Sequence, residues 1–496
     1  MKTNVLYTVM VGTLLLVVGC DDGDNNTAFH ARYGSIPSYK ETAVELIEPD
    51  DYANNVIGSW QTFAVEMGIG QYEALYNPLL DVVKEAITLS KTKDVAKLDK
   101  LFEAEAGLAG QTGHCWQIES YSFTYPSKSA RGEHVTLSGR VTFPNHKTKD
   151  VGHQVKSLML FMRGAPQIGK ENSERLSSDT QIQRVFFDEA IIEPDGQGLG
   201  VNMDKDYYCA TSPNVLARQM ADCTVAALEV MQRHGVTLAA DGHSICAGLS
   251  LGGAVPLAFA KYYETEASPA FREKLKLSAV YIGNSPLDFE ATFRHFSDHP
   301  EYNAMLSKTL LFSLAALSQE QLYGYQPQDF VNQNLLNTQV EYGGRTMSFY
   351  EAGTRYFVNV LGTDKDMPNP KKFSEIIASD MLNRDGQFDG NNPKTQTLMR
   401  VLAEQGNLSG WLPTTPIYIM HGTQDDGIPV GQARKCYNEL SNSGGNPNVH
   451  YKETTIPSAV VSLGKLVGLC LGHMYATISF QNIVFNNEDV SKAWKN

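Results

Sequence analysis

The sequence predicts an α/β fold with a mainly parallel central sheet that is covered by helices on both faces. Apolar strand-like segments such as VKSLMLFM, DEAIIEP and PIYIMHG alternate with helix-like segments such as LARQMADCTVAALEVMQRH. Strands that are apolar throughout, and that alternate with helices, are typical of parallel sheets buried on both faces. The chain has 496 residues, 42% of them hydrophobic, which is ample for a large core.

The order of the patterns divides the chain. Apolar residues in 40–110 recur at spacings of three and four, which predicts helices. Residues 115–144 change to a period of two, which predicts an antiparallel hairpin at the edge of the sheet. The long stretch between SPLDF and PIYIMHG lacks clear strands and contains helix-like segments, so it is better read as an inserted helical cap than as a connection.

We therefore expect six segments. They are a signal peptide at 1–19, a tether at 20–39, an N-terminal helical region at 40–110, a first part of the core at 111–289, the helical cap at 290–412 and a second part of the core at 413–496.

The charge balance bears on partners. The net charge is −14, and no block of Lys or Arg interrupts the acidic composition. Such a chain is a poor match for nucleic acid or for an anionic membrane surface. We expect no nucleic acid partner.

The N-terminus predicts export. One positive charge in MKTN precedes an apolar run of roughly 15 residues, shorter than the roughly 20 that span a bilayer. The run ends in Val17-Val18-Gly19-Cys20, which resembles the lipobox of bacterial lipoprotein signal peptides and implies lipidation of Cys20. An ordinary cleaved signal peptide and an uncleaved anchor are the alternatives. We expect an exported protein of the cell envelope, attached to the membrane through a lipid on Cys20.

Six further cysteines follow: Cys115, Cys209, Cys223, Cys246, Cys436 and Cys470. An even number in an exported chain predicts at least partial disulfide pairing, with buried free thiols as the alternative. No C-x-x-C spacing indicates zinc, and the DGQFDGNN stretch lacks the spacing of a calcium loop. The sequence implies neither a metal nor an organic cofactor.

The stretch GHSICAGLSLGGA at 242–254 offers three nucleophiles, Ser244, Cys246 and Ser250. Ser250 is the centre of a G-x-S-x-G motif between a predicted strand and a predicted helix. This arrangement places a serine on a sharp turn above the sheet. Ser244 and Cys246 lie within the strand and should point away from the turn, so we expect Ser250 to be the nucleophile.

A nucleophilic serine needs a histidine base and a carboxylate that orients the base. We expect His473, in LCLGHMY on a loop just before the last helix, to be the base, with His450 as the alternative. His421 is expected to be structural. HGTQDDGIP offers Asp425 and Asp426 as candidate acids after the penultimate strand.

Two segments carry a resemblance to a known superfamily. HG-x-x-D-x-x-I-P after an apolar strand resembles the acid-bearing loop of α/β-hydrolase esterases and lipases, whose Asp matches Asp425. PDGQGLG at 194–200 resembles their P-D-Y-x-G-x-G segment, with Gly196 where an aromatic residue is usual. The order of segments, with a cap after the sixth predicted strand, resembles the secretory lipase family and related bacterial esterases.

The resemblance covers 115–485 and implies an α/β-hydrolase fold. It also implies an oxyanion site, built from the backbone N–H of Leu251 and from Gly164 or a neighbour. The loop RGAPQ lacks the HGGG of many esterases, which leaves the second donor open. We expect a serine hydrolase of carboxylic esters, and the sequence does not distinguish a lipid from an acylated glycan as substrate. A serine peptidase and a non-catalytic surface-binding lipoprotein are the alternatives.

Overall fold

The structure is a computed structural model. It describes most of the chain from residue 39 onward. The described residues are 39–52, 54–55, 77–78, 81, 94–111, 113–164, 180–209, 211–299, 329–356, 358, 366–370, 372–406, 408–467 and 470–495.

A single large sheet organises the described residues. Its strands are β1 Lys40–Ile47, β2 Trp116–Lys128, β3 His134–His146, β4 His153–Met162, β5 Glu189–Pro194, β6 Val236–Leu249, β7 Leu277–Gly283, β10 Ile417–Gly422 and β11 Val449–Thr454. The order across the sheet is β1-β2-β3-β5-β4-β6-β7-β10-β11. A separate hairpin is formed by β8 Gln339–Tyr342 and β9 Arg345–Ser348.

Among the described residues, the α-helices of eight or more residues are α1 Asp94–Glu105, α2 Pro213–Arg233, α3 Ala254–Thr265, α5 Phe289–Asp298, α7 Phe349–Tyr356, α8 Pro393–Gln405, α9 Val430–Leu440, α10 Ser458–Val467 and α11 Leu471–Phe485. Shorter α-helices in the same part of the chain include α4 Pro269–Leu275, α6 Gln333–Asn337 and α12 Val490–Lys495.

In the large sheet, the strands β5, β4, β6, β7, β10 and β11 pair in parallel, while β1, β2 and β3 form an antiparallel edge. Alternate residues of the central strands enter two different hydrophobic clusters. In β4, Leu158 and Leu160 belong to one cluster, and Met159 and Phe161 to the other. Because successive side chains of a strand point to opposite faces, both faces of the sheet are covered. The predicted α/β architecture is confirmed.

The N-terminal region differs from its prediction. Residues 40–47 were expected to be helical, but they form β1, which pairs with β2 from Lys40 opposite Thr124 to Ile47 opposite Ile118. Without β1, the outer edge of β2 would present unpaired backbone groups, and pairing with them outweighs a helical spacing over only eight residues. The predicted hairpin is present as β2 and β3, one strand in from the edge.

The described part of the predicted cap follows β7 and is not purely helical. It includes α5, α7 and α8, together with the β8–β9 hairpin. The last two residues of α7 contact the core. The Tyr356 hydroxyl donates to Asp204 Oδ1 at 2.7 Å, and the Arg355 guanidinium lies over the Tyr207 ring. The apolar segment LLFSLAALSQEQLYGY lies outside the described residues, as do the predicted signal peptide, Cys20 and nearly all of the tether.

The cysteines contradict the expected pairing. In the structure, no disulfide joins any two of Cys115, Cys209, Cys223, Cys246, Cys436 and Cys470. All except Cys115 are buried among the apolar side chains of different core elements, where cysteine behaves as a small hydrophobic residue.

Among the described residues, no helix is both long and apolar enough to cross a membrane.

These positions predict that the six thiols remain free in the purified protein. Alkylation of the denatured, unreduced chain should therefore modify all six, and mass spectrometry of the peptides should locate them. Prior reduction should add no further modified cysteine among them. Two or more of these cysteines that become reactive only after reduction would contradict this arrangement.

Candidate active site

The turn that follows β6 holds Ser250 in a left-handed backbone conformation. Its φ angle is +50°, which a residue with a side chain adopts only when the surrounding structure requires it. A Cβ on Gly252 would lie 1.6 Å from the carbonyl oxygen of Arg163, and one on Gly248 would lie 2.8 Å from the Gly252 carbonyl oxygen. Gly252 thus allows the turn to pack tightly against the loop after β4, and Gly248 allows the turn to close on itself.

His473 lies on a different element of the core, and its side chain contacts Ser250. It was expected on a loop, but the structure places it in the first turn of α11. This helix begins early because the carboxylate of Asp426 accepts the backbone N–H of His473 at 2.9 Å and that of Gly472 at 3.4 Å. A remote side chain therefore satisfies N–H groups that the first turn of a helix leaves without partners.

Asp425 lies on the loop that follows β10. Its Oδ1 accepts the backbone N–H groups of Gly427 and Ile428, both at 2.8 Å. These two bonds fix the carboxylate, and they leave its Oδ2 facing Nδ1 of His473 at 2.8 Å. The two neighbouring acids thus have different contacts: Asp425 meets the imidazole, and Asp426 meets the backbone that carries it.

The three side chains form one continuous hydrogen-bonded line. The hydroxyl of Ser250 is 2.9 Å from Nε2 of His473, whose Nδ1 faces Asp425. The Nδ1–H donates to the carboxylate, which leaves the lone pair of Nε2 to accept the serine proton. Ser250 is 5% exposed and His473 1% exposed, so the line is almost completely shielded from water.

His473 and Asp425 each shift the pKa of the other in the direction that favours their opposite charges. Burial alone would lower the pKa of His473, but the charge and hydrogen bond of Asp425 outweigh it and raise that pKa above its usual 6.5. Burial would raise the pKa of Asp425, but His473 and the Ile428 N–H lower it. Asp426 behaves differently, because burial and the neighbouring charge of Asp425 raise its pKa to about 6.

The alternative candidates lie elsewhere. The Ser244 hydroxyl donates to the Leu275 carbonyl, and the thiol of Cys246 contacts the sulfur of Met220 at 3.7 Å within the core. Burial raises the pKa of the Cys246 thiol strongly, so it is a poor nucleophile.

Neither of the other two late histidines reaches the serine. The His450 ring stacks on Tyr418 in the sheet, with ring centroids 4.5 Å apart. His421 donates from Nε2 to the Ile428 carbonyl at 2.9 Å, and this bond braces the loop that carries Asp425. The structure therefore brings Ser250, His473 and Asp425 together. Of the alternatives, His421 approaches this group, with its Nε2 3.7 Å from Asp425 Oδ2, but it does not contact the serine.

The expected oxyanion donors flank the turn. Leu251 is the second residue of the short 3-10 helix Ser250–Gly253, whose first N–H groups have no acceptor within the helix. Gly164 is buried at the end of the described part of the loop after β4, next to the Arg163 carbonyl against which Gly252 packs. Both residues thus lie on backbone that adjoins Ser250.

A buried ion network that the sequence did not indicate fixes this loop. Arg163 donates through Nε to Glu193 Oε1 at 2.8 Å, and Arg140 donates through Nε to Glu193 Oε2 at 2.9 Å. Burial would raise the pKa of Glu193, but the two guanidinium groups lower it. The carboxylate therefore stays ionised and joins the loop to β3 and β5.

Comparisons with known proteins agree with this geometry at the level of the fold. The rice cell wall degrading esterase LipA from Xanthomonas oryzae is 16% identical, with a TM-score of 0.58 over 78% of this chain and 94% of that one. A Legionella pneumophila protein assigned as a hydrolase is 17% identical, with a TM-score of 0.51 over 78% of this chain and 95% of that one. The chain has the α/β-hydrolase fold.

No family model and no curated protein matches the sequence of this chain. The expected likeness to the secretory lipase family in particular therefore rests on the sequence motifs alone. The fold places Ser250 at the carboxyl end of β6, the edge of the sheet where ligands bind in open α/β folds.

The packing of the turn predicts that Gly252→Ala destabilises the protein. Its Cβ would overlap the Arg163 carbonyl, and overpacking of this kind costs about 1–3 kcal/mol of the free energy of unfolding. Gly431→Ala in α9 is the control, because nothing lies within 4 Å of its added Cβ. Chemical denaturation of both variants measures the difference. Equal stability of the two variants would contradict the close packing of the turn against the loop.

Proposed function

We propose that this α/β-hydrolase is a serine hydrolase that cleaves carboxylic esters through an acyl-enzyme. The observation that carries the proposal is the alignment of Ser250, His473 and Asp425, with contacts of 2.9 Å and 2.8 Å. A hydroxyl is a weak nucleophile until a base accepts its proton, and this alignment provides the base and the carboxylate that orients it. The likeness of the fold to that of an esterase is consistent with the proposal.

In the first half of the reaction, Ser250 Oγ attacks the ester carbonyl carbon while His473 Nε2 takes the hydroxyl proton. The carbonyl oxygen becomes an oxyanion, which the backbone N–H of Leu251 and a donor at or near Gly164 stabilise. Each such donor contributes about 3 kcal/mol of transition-state stabilisation. The C–O bond to the alcohol then breaks, and the alcohol leaves with the proton from His473.

In the second half, water takes the place of the alcohol. His473 removes a proton from the water, whose oxygen attacks the acyl carbon. The second tetrahedral intermediate releases the acid and returns the proton to Ser250. Asp425 remains ionised throughout and stabilises the imidazolium that forms twice in each cycle.

Activity assays test both the nucleophile and the substrate class. Replacing Ser250 with Ala should reduce kcat by roughly five to six orders of magnitude, because no other group can form the acyl-enzyme. Cys246→Ala should retain activity. Rates on a series of model esters and on matched aminoacyl anilides measure both substitutions and the substrate class. Faster cleavage of anilides than of esters would favour a peptidase, and loss of activity in Cys246→Ala alone would displace Ser250 as the nucleophile.

The two neighbouring acids allow a matched test of the base. Asp425→Asn should lower kcat by about 10⁴, because it removes the charge that orients and stabilises the imidazole. Asp426→Asn should cost about tenfold or less, because an amide oxygen can still accept the N–H of His473. Steady-state kinetics on one ester compares them, and equal losses would leave the assignment of the acid without support.

The contact between His473 and Asp425 predicts how the activity depends on pH. His473 must be neutral to accept a proton, and its pKa is raised, so kcat/KM should fall as the pH drops through a midpoint above 6.5. Asp425→Asn should move that midpoint downward, because burial continues to lower the pKa of His473 while the opposing charge is gone. An unchanged midpoint would contradict the coupling of these residues.

We also propose export and lipid attachment at Cys20, on the strength of the apolar run and the Val17-Val18-Gly19-Cys20 sequence. Cells grown with a clickable fatty acid should label the protein, and Cys20→Ser should abolish the label. Persistent labelling of this variant would contradict the anchor.

A further inference from the structure

A cluster of two histidines and a glutamate lies at the end of the sheet opposite Ser250. Glu105 is the last residue of α1, His146 is the last residue of β3, and His153 is the first residue of β4. The nucleophile adjoins the far end of β4, so the length of that strand separates the cluster from it by roughly 30 Å. The cluster takes no part in the proposed reaction.

The ligand atoms of the three residues converge. Glu105 Oε2 is 3.3 Å from His146 Nε2 and 2.9 Å from His153 Nδ1, and the three atoms all lie within 4.8 Å of one another. Nitrogen and oxygen ligands about 2.0–2.1 Å from a tetrahedral zinc ion lie about 3.3 Å from each other. The three atoms are therefore close to the spacing that such an ion requires.

A fourth residue fixes the orientation of one of the imidazoles. His153 Nε2 donates to Asp188 Oδ1 at 2.6 Å, so Nδ1 is the atom that is presented to the cluster. Asp188 has a left-handed backbone with φ +64°, and its carbonyl oxygen accepts the Lys156 N–H at 2.8 Å. A carboxylate that holds the outer nitrogen of a ligating histidine is the usual second-layer partner of a metal site.

The environment holds the site in place without the ion. His146 is 1% exposed and His153 is 2% exposed, and the Phe102 ring packs against both at centroid distances of 4.6 Å and 4.5 Å. The Glu105 side chain is 32% exposed, which leaves room for water as a fourth ligand. The two ring nitrogens of His153 each face a carboxylate oxygen, Nδ1 that of Glu105 and Nε2 that of Asp188. Two negatively charged carboxylates around one imidazole favour a positive charge between that imidazole and Glu105.

We propose that Glu105, His146 and His153 bind a divalent transition-metal ion, with Zn²⁺ the best fit to two imidazoles and one carboxylate. The ion would tie α1 to the β3 and β4 strands and would stabilise the N-terminal part of the fold. The sequence offered no sign of this site, because its ligands come from three separate elements and lack a metal-binding spacing. A protonated His153 that joins the two carboxylates without a metal is the competing arrangement.

Metal binding to the purified, untagged chain tests the proposal. After treatment with a chelator and dialysis, the protein should take up one Zn²⁺ per chain by calorimetry and by elemental analysis. Saturating Zn²⁺ should raise the unfolding temperature by about 5 °C. Co²⁺ in the same site should show the visible absorption of a four-coordinate ion.

Variants separate this site from surface binding. Glu105→Gln changes a partly exposed side chain and should fold normally, yet it should weaken Zn²⁺ binding at least tenfold, as should His146→Gln. Asp188→Asn should weaken binding by about 10-fold to 100-fold, since it alters the partner of His153. His234→Gln is the control, because His234 faces Glu41 at 3.0 Å as a single His–Glu pair.

Binding of Zn²⁺ with wild-type affinity to Glu105→Gln would overturn the proposal, as would uptake in the wild type below one tenth of an ion per chain. Either result would leave His153 as a protonated link between Glu105 and Asp188.

Discussion

The hydrogen bond between the Nδ1–H of His473 and Asp425 is the contact on which the site depends. It selects the tautomer in which Nε2 can accept the proton of Ser250, and in the proposed reaction it would stabilise the positive charge that follows. The bond is possible because two backbone N–H groups hold the other oxygen of Asp425 at 2.8 Å. Asp426 then holds the start of the helix that carries the imidazole. Two adjacent acids therefore set the position of one base, one through its ring and the other through its backbone.

The nucleophile is held with similar tightness from the opposite side. The left-handed conformation of Ser250 is costly, and the turn keeps it because Gly252 packs directly on the Arg163 carbonyl. Arg163 is in turn held by Glu193 inside the core. A change in the loop after β4 would thus alter the positions of both the proposed oxyanion donors and the serine.

Much of this arrangement was predictable because its signals are local. The G-x-S-x-G motif and the HGTQDDGIP loop each combine a strand with a turn of defined chemistry, and the structure brings Ser250 and Asp425 from these segments to the same histidine. The parallel core followed from the apolar strands. The helical position of His473 was not predictable, because the first turn of its helix is stabilised by a hydrogen bond from the His473 N–H to Asp426, 47 positions away in the sequence.

Features that depend on contacts between distant segments could not be predicted from the sequence. Edge strand β1 forms because β2 offers it partners, although its own spacing resembled a helix. The cysteines are scattered among core elements and form no disulfide with one another, a placement that a count of thiols cannot reveal. The links between Arg140, Glu193 and Arg163, and the cluster around His153, likewise join residues whose proximity only the folded chain shows.

The central claim is that Ser250 is the nucleophile, and covalent labelling with a fluorophosphonate tests it most directly. The reagent should phosphonylate one residue per chain, and peptide mass spectrometry should place the adduct on Ser250. Loss of ester hydrolysis should follow the extent of labelling, and Ser250→Ala should take up no label. A labelled residue other than Ser250, or full ester hydrolysis by the fully labelled protein, would contradict the account.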